Sequence, residues 1–290
     1  MNKLRLFLKT ARILNLFMLA FVQYIVLSCF VQKFTYLLYA STVLSTILIA
    51  FGAYMLNDAN DVEIDRHNDK LKWVNNENQS KARALGFGSI GVGLLIGLSI
   101  SYTTSMALFL YYFFASVILI SYAYSLSKYK FAGNLLISAV VAMAILLSFY
   151  LGVNHEGFTR KFYSFNELGV WVYAGIAFLL NWIREIVKDM EDIEGDLRGK
   201  RKSLAIILGT RSSKSIVILV LVFFLAIFCL WIYKHENIQL ELYLAVLLSL
   251  TVANIIQIIR SKGKEDYKLA SVLIKTLMLI GLLLPFSEIL

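Results

Sequence analysis

Residues 34–65 read FTYLLYASTVLSTILIAFGAYMLNDANDVEID. From Phe34 to Leu56 no residue is charged, and the run then gives way at once to Asn57, Asp58, Asp61, Glu63 and Asp65. An apolar block of about 20 residues is long enough to cross a bilayer as a helix. Its abrupt acidic end places carboxylates at a membrane surface, since a charge at the bilayer centre costs about 2.5–3.5 kcal/mol even on the mildest scale. This stretch therefore predicts a membrane-spanning helix that delivers a cluster of acids to one face.

The rest of the chain repeats the apolar half of that pattern. Candidate spans fall at roughly 12–32, 34–56, 83–101, 103–124, 132–153, 168–187, 215–233, 239–259 and 269–287. The expected fold is all-α: a polytopic membrane protein with nine transmembrane helices in one bundle around a central cavity. No Pro- or Gly-rich linker divides the 290 residues, and Pro285 is the only proline, so 1–290 reads as a single domain. Composition agrees, with 59% hydrophobic and 16% charged residues and a mean hydropathy of +0.71. Soluble domains are typically about 45–50% apolar and about 25% charged, which argues against a water-soluble enzyme. Cys29 and Cys229 lie in apolar runs with no metal or disulfide spacing.

The net charge of +9 suits a nucleic-acid partner until its distribution is read. With a cytoplasmic N-terminus and nine alternating helices, 23 of the 28 Lys and Arg fall in inner segments and four in outer ones, with Lys275 inside the last span. That is the positive-inside bias. Basicity here reports orientation and not nucleic acid. The expectation is a multi-pass protein of the cell membrane with N-terminus and acidic motifs cytoplasmic and C-terminus outside. Gly86, Gly88, Gly91, Gly93 and Gly97 share one span and read as close helix packing by small residues.

The inner connections 57–82 and 184–214 are long and charged, and long loops on one face tend to carry function. They share a spacing. Asp58, Asp61 and Asp65 recur 131 residues later as Asp189, Asp192 and Asp196. At i, i+3 and i+7 of one helix, three carboxylates fall within a sector of about 60°. They repel unless a cation neutralises them. Clustered carboxylate oxygens suit Mg²⁺, a hard ion completed by water and substrate phosphate oxygens. Three histidines and no paired cysteines give zinc little support. Arg184 and Lys188 flank the second carboxylate face at i, i+4, with Glu185 on that face. Arg66, Lys70 and Lys72 follow the first triad, and Lys128 and Lys130 follow the fourth span on the same side. Acids that hold a metal beside bases that take residual charge suit a diphosphate. No P-loop accompanies them.

These residues carry a resemblance. Asn57-Asp58-x-x-Asp61-x-x-x-Asp65 followed by Arg66-x-Asn68 resembles the first signature of the UbiA-type membrane prenyltransferase superfamily, and the second triad resembles its second aspartate-rich motif. Smaller matches are Arg12-x-x-Asn15, Tyr124-x-Leu126 through Gly133-Asn134, and Gly199 through Ser203-Leu204 to Gly209. The stretch Arg184 to Asp196 is most similar to the branch that forms the second ether bond of archaeal-type lipids. The chain departs from the family pattern at Ile13, Lys70, Lys72, Trp73 and Ser127.

The resemblance implies Mg²⁺-dependent transfer of a geranylgeranyl or other polyprenyl group from its diphosphate to a hydroxyl of a glycerol-phosphate lipid, within membrane lipid. It implies Asn57, Asp58, Asp61, Asp65, Asp189, Asp192 and Asp196 as metal ligands, with Asp61, Asp65, Asp192 and Asp196 catalytic. It implies Asn15, Arg66, Lys72, Tyr124, Lys128, Arg184 and Lys188 as substrate contacts. Electrostatic stabilisation of the departing diphosphate would drive ionisation, and a lipid-embedded cavity would keep water from the carbocation. Tyr111, Tyr112, Tyr122 and Tyr124 are candidates to shield that cation through their π faces, although core and interfacial packing accounts for most aromatics of such a chain. Two alternatives remain on sequence grounds: the same chemistry on an aromatic acceptor, as in quinone biosynthesis, and a cation transporter with acidic gates.

Overall fold

The structure is a computed structural model that describes residues 3–30, 36–67, 72–156, 167–234 and 238–284. Among these residues every regular element is helical. The order is α1 (Lys3–Thr10), α2 (Ile13–Phe30), α3 (Tyr36–Asn60), α4 (Val62–His67), α5 (Gln79–Thr103), α6 (Met106–Tyr124), α7 (Lys130–Glu156), α8 (Glu167–Glu191), α9 (Ile193–Arg198), α10 (Leu204–Ile207), α11 (Gly209–Lys234), α12 (Ile238–Arg260) and α13 (Lys264–Gly281). A short 3₁₀ turn, Leu126–Lys128, joins α6 to α7.

Seven helices are long and apolar enough to cross a membrane, or eight if the bent α1–α2 pair counts as one span. Their apolar side chains point outward as well as inward. Leu95, Leu219 and Leu230 are more than 60% exposed, as befits helices whose outer solvent is lipid. The protein is thus a multi-pass membrane protein.

The count of nine is not reached among the described residues, for two reasons. The first expected span, 12–32, corresponds to α2, which counts as a span only together with α1; the two meet at 51° around Ala11 and Arg12, with Arg12 in the left-handed region at φ 51°. The ninth, expected over 269–287, corresponds to α13. Its first turns carry Lys264, Glu265, Asp266 and Lys268, and residues 285–287 lie outside the described ones.

The chain divides into two compact units, residues 1–175 and 176–290. In the first, α3 packs along α5 more extensively than any other pair, with α6, α7 and α2 alongside. Glycine sets how close these backbones come. A Cβ on Gly52 would lie 2.5 Å from the Gly86 carbonyl oxygen, and one on Gly93 2.9 Å from that of Ser45. Ser45 Oγ donates to the Gly93 carbonyl at 2.7 Å and Ser89 Oγ to that of Leu48 at 2.8 Å, so polar groups are satisfied across the crossing. Gly97 makes room for the buried ring of Tyr112. Gly88 and Gly91 face open space. Close packing therefore explains three of the five glycines in this span.

In the second unit the latter part of α8 packs with α11, α12 and α13 around Ile183, Ile186, Val217, Leu244, Leu247 and Ile274, none of which is exposed. Polar groups close its helix ends. Lys214 Nζ donates to the Ser261 carbonyl at the end of α12. Asp266 accepts the N–H groups of Lys262 and Gly263 at 2.8 and 3.1 Å, capping the start of α13.

Candidate active site

Each acidic motif straddles a helix break. The three aspartates of a motif do not share the one continuous helix that their spacing predicts: α3 ends at Asn60 and α4 begins at Val62, so Asp61 sits in the break. In the same way α8 ends at Glu191 and α9 begins at Ile193, leaving Asp192 at the junction in a bridge-region conformation, φ −99°, ψ 12°. The chain does not unravel there. Asp61 N–H bonds to the Asn57 carbonyl and Asp65 N–H to that of Asp61, at 3.0 and 2.8 Å. Asp192 and Asp196 repeat the pattern onto Lys188 and Asp192 at 2.9 and 3.0 Å. No proline or inserted glycine stands at either break. Each falls on an aspartate, a residue type that favours helix ends over interiors. The spacing recognised in sequence is thus a structural repeat, with the middle acid at the bend both times.

The first motif is buried and already holds a cation. Asp58 is 1% exposed, and Asp61 and Asp65 are under 10%. Lys72 Nζ lies 2.6 Å from Asp58 Oδ1 and 2.5 Å from Asp65 Oδ2, bridging the two carboxylates. Arg12 adds a guanidinium 3.5 Å from the same Asp58 oxygen and stacks 4.5 Å over the Tyr54 ring. Asn57 Nδ2 donates to Asp61 Oδ2 at 3.1 Å. Burial pushes the Asp65 carboxyl above the ordinary range, Lys72 pulls it back, and Asp58 and Asp61 raise it further. Asn60, between the acids, is structural: its Nδ2 donates to the Ala123 carbonyl at 3.0 Å and its Oδ1 accepts from Arg83 at 3.2 Å, tying α3 to α6 and α5.

The second motif is built alike. Asp189 and Asp196 are buried at 2% and 1%. Arg201, itself largely enclosed, brings its guanidinium to 3.9 Å from Asp196 Oδ1, and its N–H bonds to the Asp196 carbonyl at 2.9 Å. Lys200 takes a left-handed conformation, φ 52°, to make that turn. Arg184 and Lys188 both donate to Glu185 Oε1, at 2.9 and 3.0 Å, so this acid orients the two expected substrate cations.

The remaining expected residues are less enclosed. Arg66 and Lys128 are exposed, and Asn15 is half-buried at the start of α2. Tyr124 is 42% exposed and stacks on Phe87 with centroids 6.2 Å apart. Tyr112 packs into the α3–α5–α6 core, and Tyr111 lies 6.4 Å from the Tyr150 ring. Asn68 and Lys70 lie outside the described residues. Arg12 and Arg201 are the two cations that site selection by sequence passed over. The signal for each was weak: one half of the short Arg12-x-x-Asn15 match, and one among the four basic residues Arg198, Lys200, Arg201 and Lys202 after a motif.

Among the described residues no three acidic, histidine or cysteine side chains stand close enough to hold an ion together. The donor set nevertheless fits a hard cation. It is all oxygen, Asp58 Oδ2 is buried with no hydrogen-bond partner among the described residues, and the Lys72 ammonium shows that the gap between Asp58 and Asp65 accepts positive charge.

Comparison with known proteins agrees with this geometry. Residues 14–280 match the UbiA prenyltransferase family. The chain is 34% identical over 212 residues to the digeranylgeranylglyceryl phosphate synthase of Saccharolobus solfataricus, covering 72% of this chain and 71% of that protein. Its fold is similar to a solved structure of digeranylgeranylglyceryl phosphate synthase, with a TM-score of 0.65 at 22% identity over 99% of this chain and 98% of that one. It is also similar to a UbiA homolog from Archaeoglobus fulgidus bound to GPP and Mg²⁺, with a TM-score of 0.59 at 13% identity over 96% and 99%. With the family match running from α2 to the end of α13 and paired acidic motifs at corresponding helix ends, this chain belongs to the UbiA prenyltransferase family.

Proposed function

We propose that this prenyltransferase moves a geranylgeranyl group from its diphosphate to the free hydroxyl of a prenylated glycerol-phosphate lipid, as one domain acting with Mg²⁺. The observation that carries the substrate assignment is the 34% identity to a digeranylgeranylglyceryl phosphate synthase over 72% of the chain. The A. fulgidus homolog bound to GPP and Mg²⁺ supports the choice of donor class and ion.

In this reading Asn57, Asp58, Asp61 and Asp65 of the first motif and Asp189, Asp192 and Asp196 of the second hold Mg²⁺, with Asp61, Asp65, Asp192 and Asp196 essential to turnover. When bound, Mg²⁺ neutralises the diphosphate and so stabilises it as a leaving group. The allylic C–O bond breaks with its electron pair leaving on the diphosphate. The acceptor hydroxyl oxygen attacks the allylic carbon, and its proton passes to a motif aspartate and on to solvent. The products are the ether, diphosphate and one proton.

Lys72 and Arg12 already sit against the first motif, and Arg201 against the second. They take up negative charge as it grows on the leaving group. Arg66, Lys128 and Asn15 complete the polar lining on the first unit. Arg184 and Lys188, fixed side by side on Glu185, grip the phosphate of the acceptor. Tyr124 contributes a ring face to the prenyl chain.

The test is a reaction of purified protein with geranylgeranyl diphosphate and a panel of acceptors. Diphosphate release with a geranylgeranylglycerol phosphate, abolished by EDTA and restored by Mg²⁺, is the expected result. Release only with phenolic or aromatic acids would move the chain to aromatic prenylation. No release with any acceptor, together with cation flux in vesicles, would sink the enzyme assignment for these acids.

A further inference from the structure

The lysine that bridges the first motif has no helix to hold it. Lys72 lies in irregular backbone between α4 and α5, on a long side chain that loses much rotamer freedom when it is ordered. What fixes its main chain is the next residue. Trp73 N–H donates to Thr10 Oγ1 at 3.0 Å, across 63 positions of sequence. The Trp73 ring meets the Phe7 ring edge-on at 5.4 Å, and Phe7 in turn leans on Phe51 of α3 at 6.1 Å. The Trp73 carbonyl accepts from Asn78 Nδ2 at 2.8 Å, which ties the far side of the loop. Thr10 is 1% exposed and is the last residue of α1, immediately before the left-handed bend at Arg12.

The geometry points to α1 as a positioning element of the reaction: Phe7 and Thr10 clamp Trp73 and thereby hold Lys72 between Asp58 and Asp65. Three features place these contacts in one device. They converge on a single residue next to the bridging lysine. They come from a short helix whose main helix neighbours among the described residues are α2 and α3. The same bend that presents Thr10 also presents Arg12 to Asp58. A site needs its charged side chains held by supporting contacts to within a fraction of an ångström, and a lysine on a loop has to borrow that rigidity. The inference rests on the proposed role of Lys72 at the diphosphate and extends it to two residues remote from the acids in sequence.

The experiment compares Phe7→Ala, Thr10→Val, Thr10→Ser and Lys72→Met, singly and with Lys72→Met combined. Two quantities are read on folded protein: the KM for geranylgeranyl diphosphate, and the midpoint of the rise in melting temperature with Mg²⁺ in the absence of substrate. Lys72→Met removes the cation that competes with Mg²⁺ for Asp58 and Asp65, so its Mg²⁺ midpoint falls while its KM rises. Phe7→Ala and Thr10→Val are expected to move both quantities in the same directions, with KM up about tenfold, roughly one unit of log affinity. Thr10→Ser, which keeps the acceptor oxygen, restores both. In the Lys72→Met background the clamp substitutions add nothing to either quantity, the mark of residues that act through one another. A purely structural α1 predicts lower melting temperatures with KM and Mg²⁺ midpoint unmoved, or effects that add fully to Lys72→Met; either result overturns the clamp. If Lys72→Met itself alters neither quantity, the role of Lys72 falls first, and the clamp with it.

Discussion

The acids and bases of the two motifs differ in what their loss removes. Asp61 and Asp192 stand at the helix breaks, where a neutral amide would keep the shape and delete the charge. Asp61→Asn and Asp192→Asn are each expected to lower kcat by two or more orders of magnitude, because the lost charge matters most as the diphosphate departs. Single-turnover assays at saturating substrates check this, and near-normal rates in either variant would refute the ligand role of that motif. Lys188 is a sharper case. Its ammonium rests 3.0 Å from Glu185 Oε1, a pairing that satisfies a surface lysine as readily as a phosphate-gripping one. If it holds the acceptor, Lys188→Met raises the KM for the glycerol-phosphate lipid about tenfold and leaves that for geranylgeranyl diphosphate within about twofold. If it only balances Glu185, both KM values stay put and the melting temperature drops slightly. Steady-state kinetics with each substrate varied in turn separates the two.

At the scale of the element, the α3–α5 pair carries the first motif, so its closeness fixes where Asn57 to Asp61 emerge. Two glycines on these helices predict opposite outcomes. Alanine in an exposed helix gains up to about 1 kcal/mol over glycine. Gly91 faces open space, and Gly91→Ala is expected to be neutral or mildly stabilising. At Gly52 the added Cβ would stand 2.5 Å from a backbone oxygen that cannot rotate away. Overpacking of that kind costs about 1–3 kcal/mol, so Gly52→Ala is expected to lower the melting temperature in detergent despite its better propensity. A stabilised Gly52→Ala would show that the two helices have room to part. The helix breaks at Asp61 and Asp192 belong to the same scale, since each turns the last acid of its motif onto a separate short helix.

For the whole molecule, we propose from the charge bias across the spans that the N-terminus and the acidic motifs face the cytoplasm. Single cysteines in a variant lacking Cys29 and Cys229 test this directly. Tyr102→Cys, exposed in the last turn of α5, is expected to react with a membrane-impermeant maleimide from outside intact cells. Lys262→Cys, between α12 and α13, is expected to react only after the membrane is opened. The reverse pattern would invert the topology while leaving the helices unchanged. Orientation follows from loop charges and insertion energetics, and the packing of the finished bundle has no bearing on it.

The class of the fold, the course of most of its long apolar helices, and the two acidic motifs with their shared spacing are legible in the residues alone. These signals are local: an apolar run long enough for a bilayer, and carboxylates at fixed intervals, need no knowledge of neighbours. The tertiary structure decided the rest. Five glycines in one span look alike in sequence, yet only Gly86, Gly93 and Gly97 meet another helix. The choice depends on which side of α5 faces α3 and α6. The even periodicity of the motifs suggested unbroken helices, whereas α3 and α8 stop at Asn60 and Glu191 and the next helices start only after Asp61 and Asp192. Lys72 stood among the expected substrate contacts, but its bridge between two acids did not, and Arg12 and Arg201 could not be ranked among 28 basic residues by spacing alone. A long flexible cation reaches an acid wherever folding brings the two within about 4 Å, and the contacts that matter here join positions 14, 46 and 63 apart along the chain.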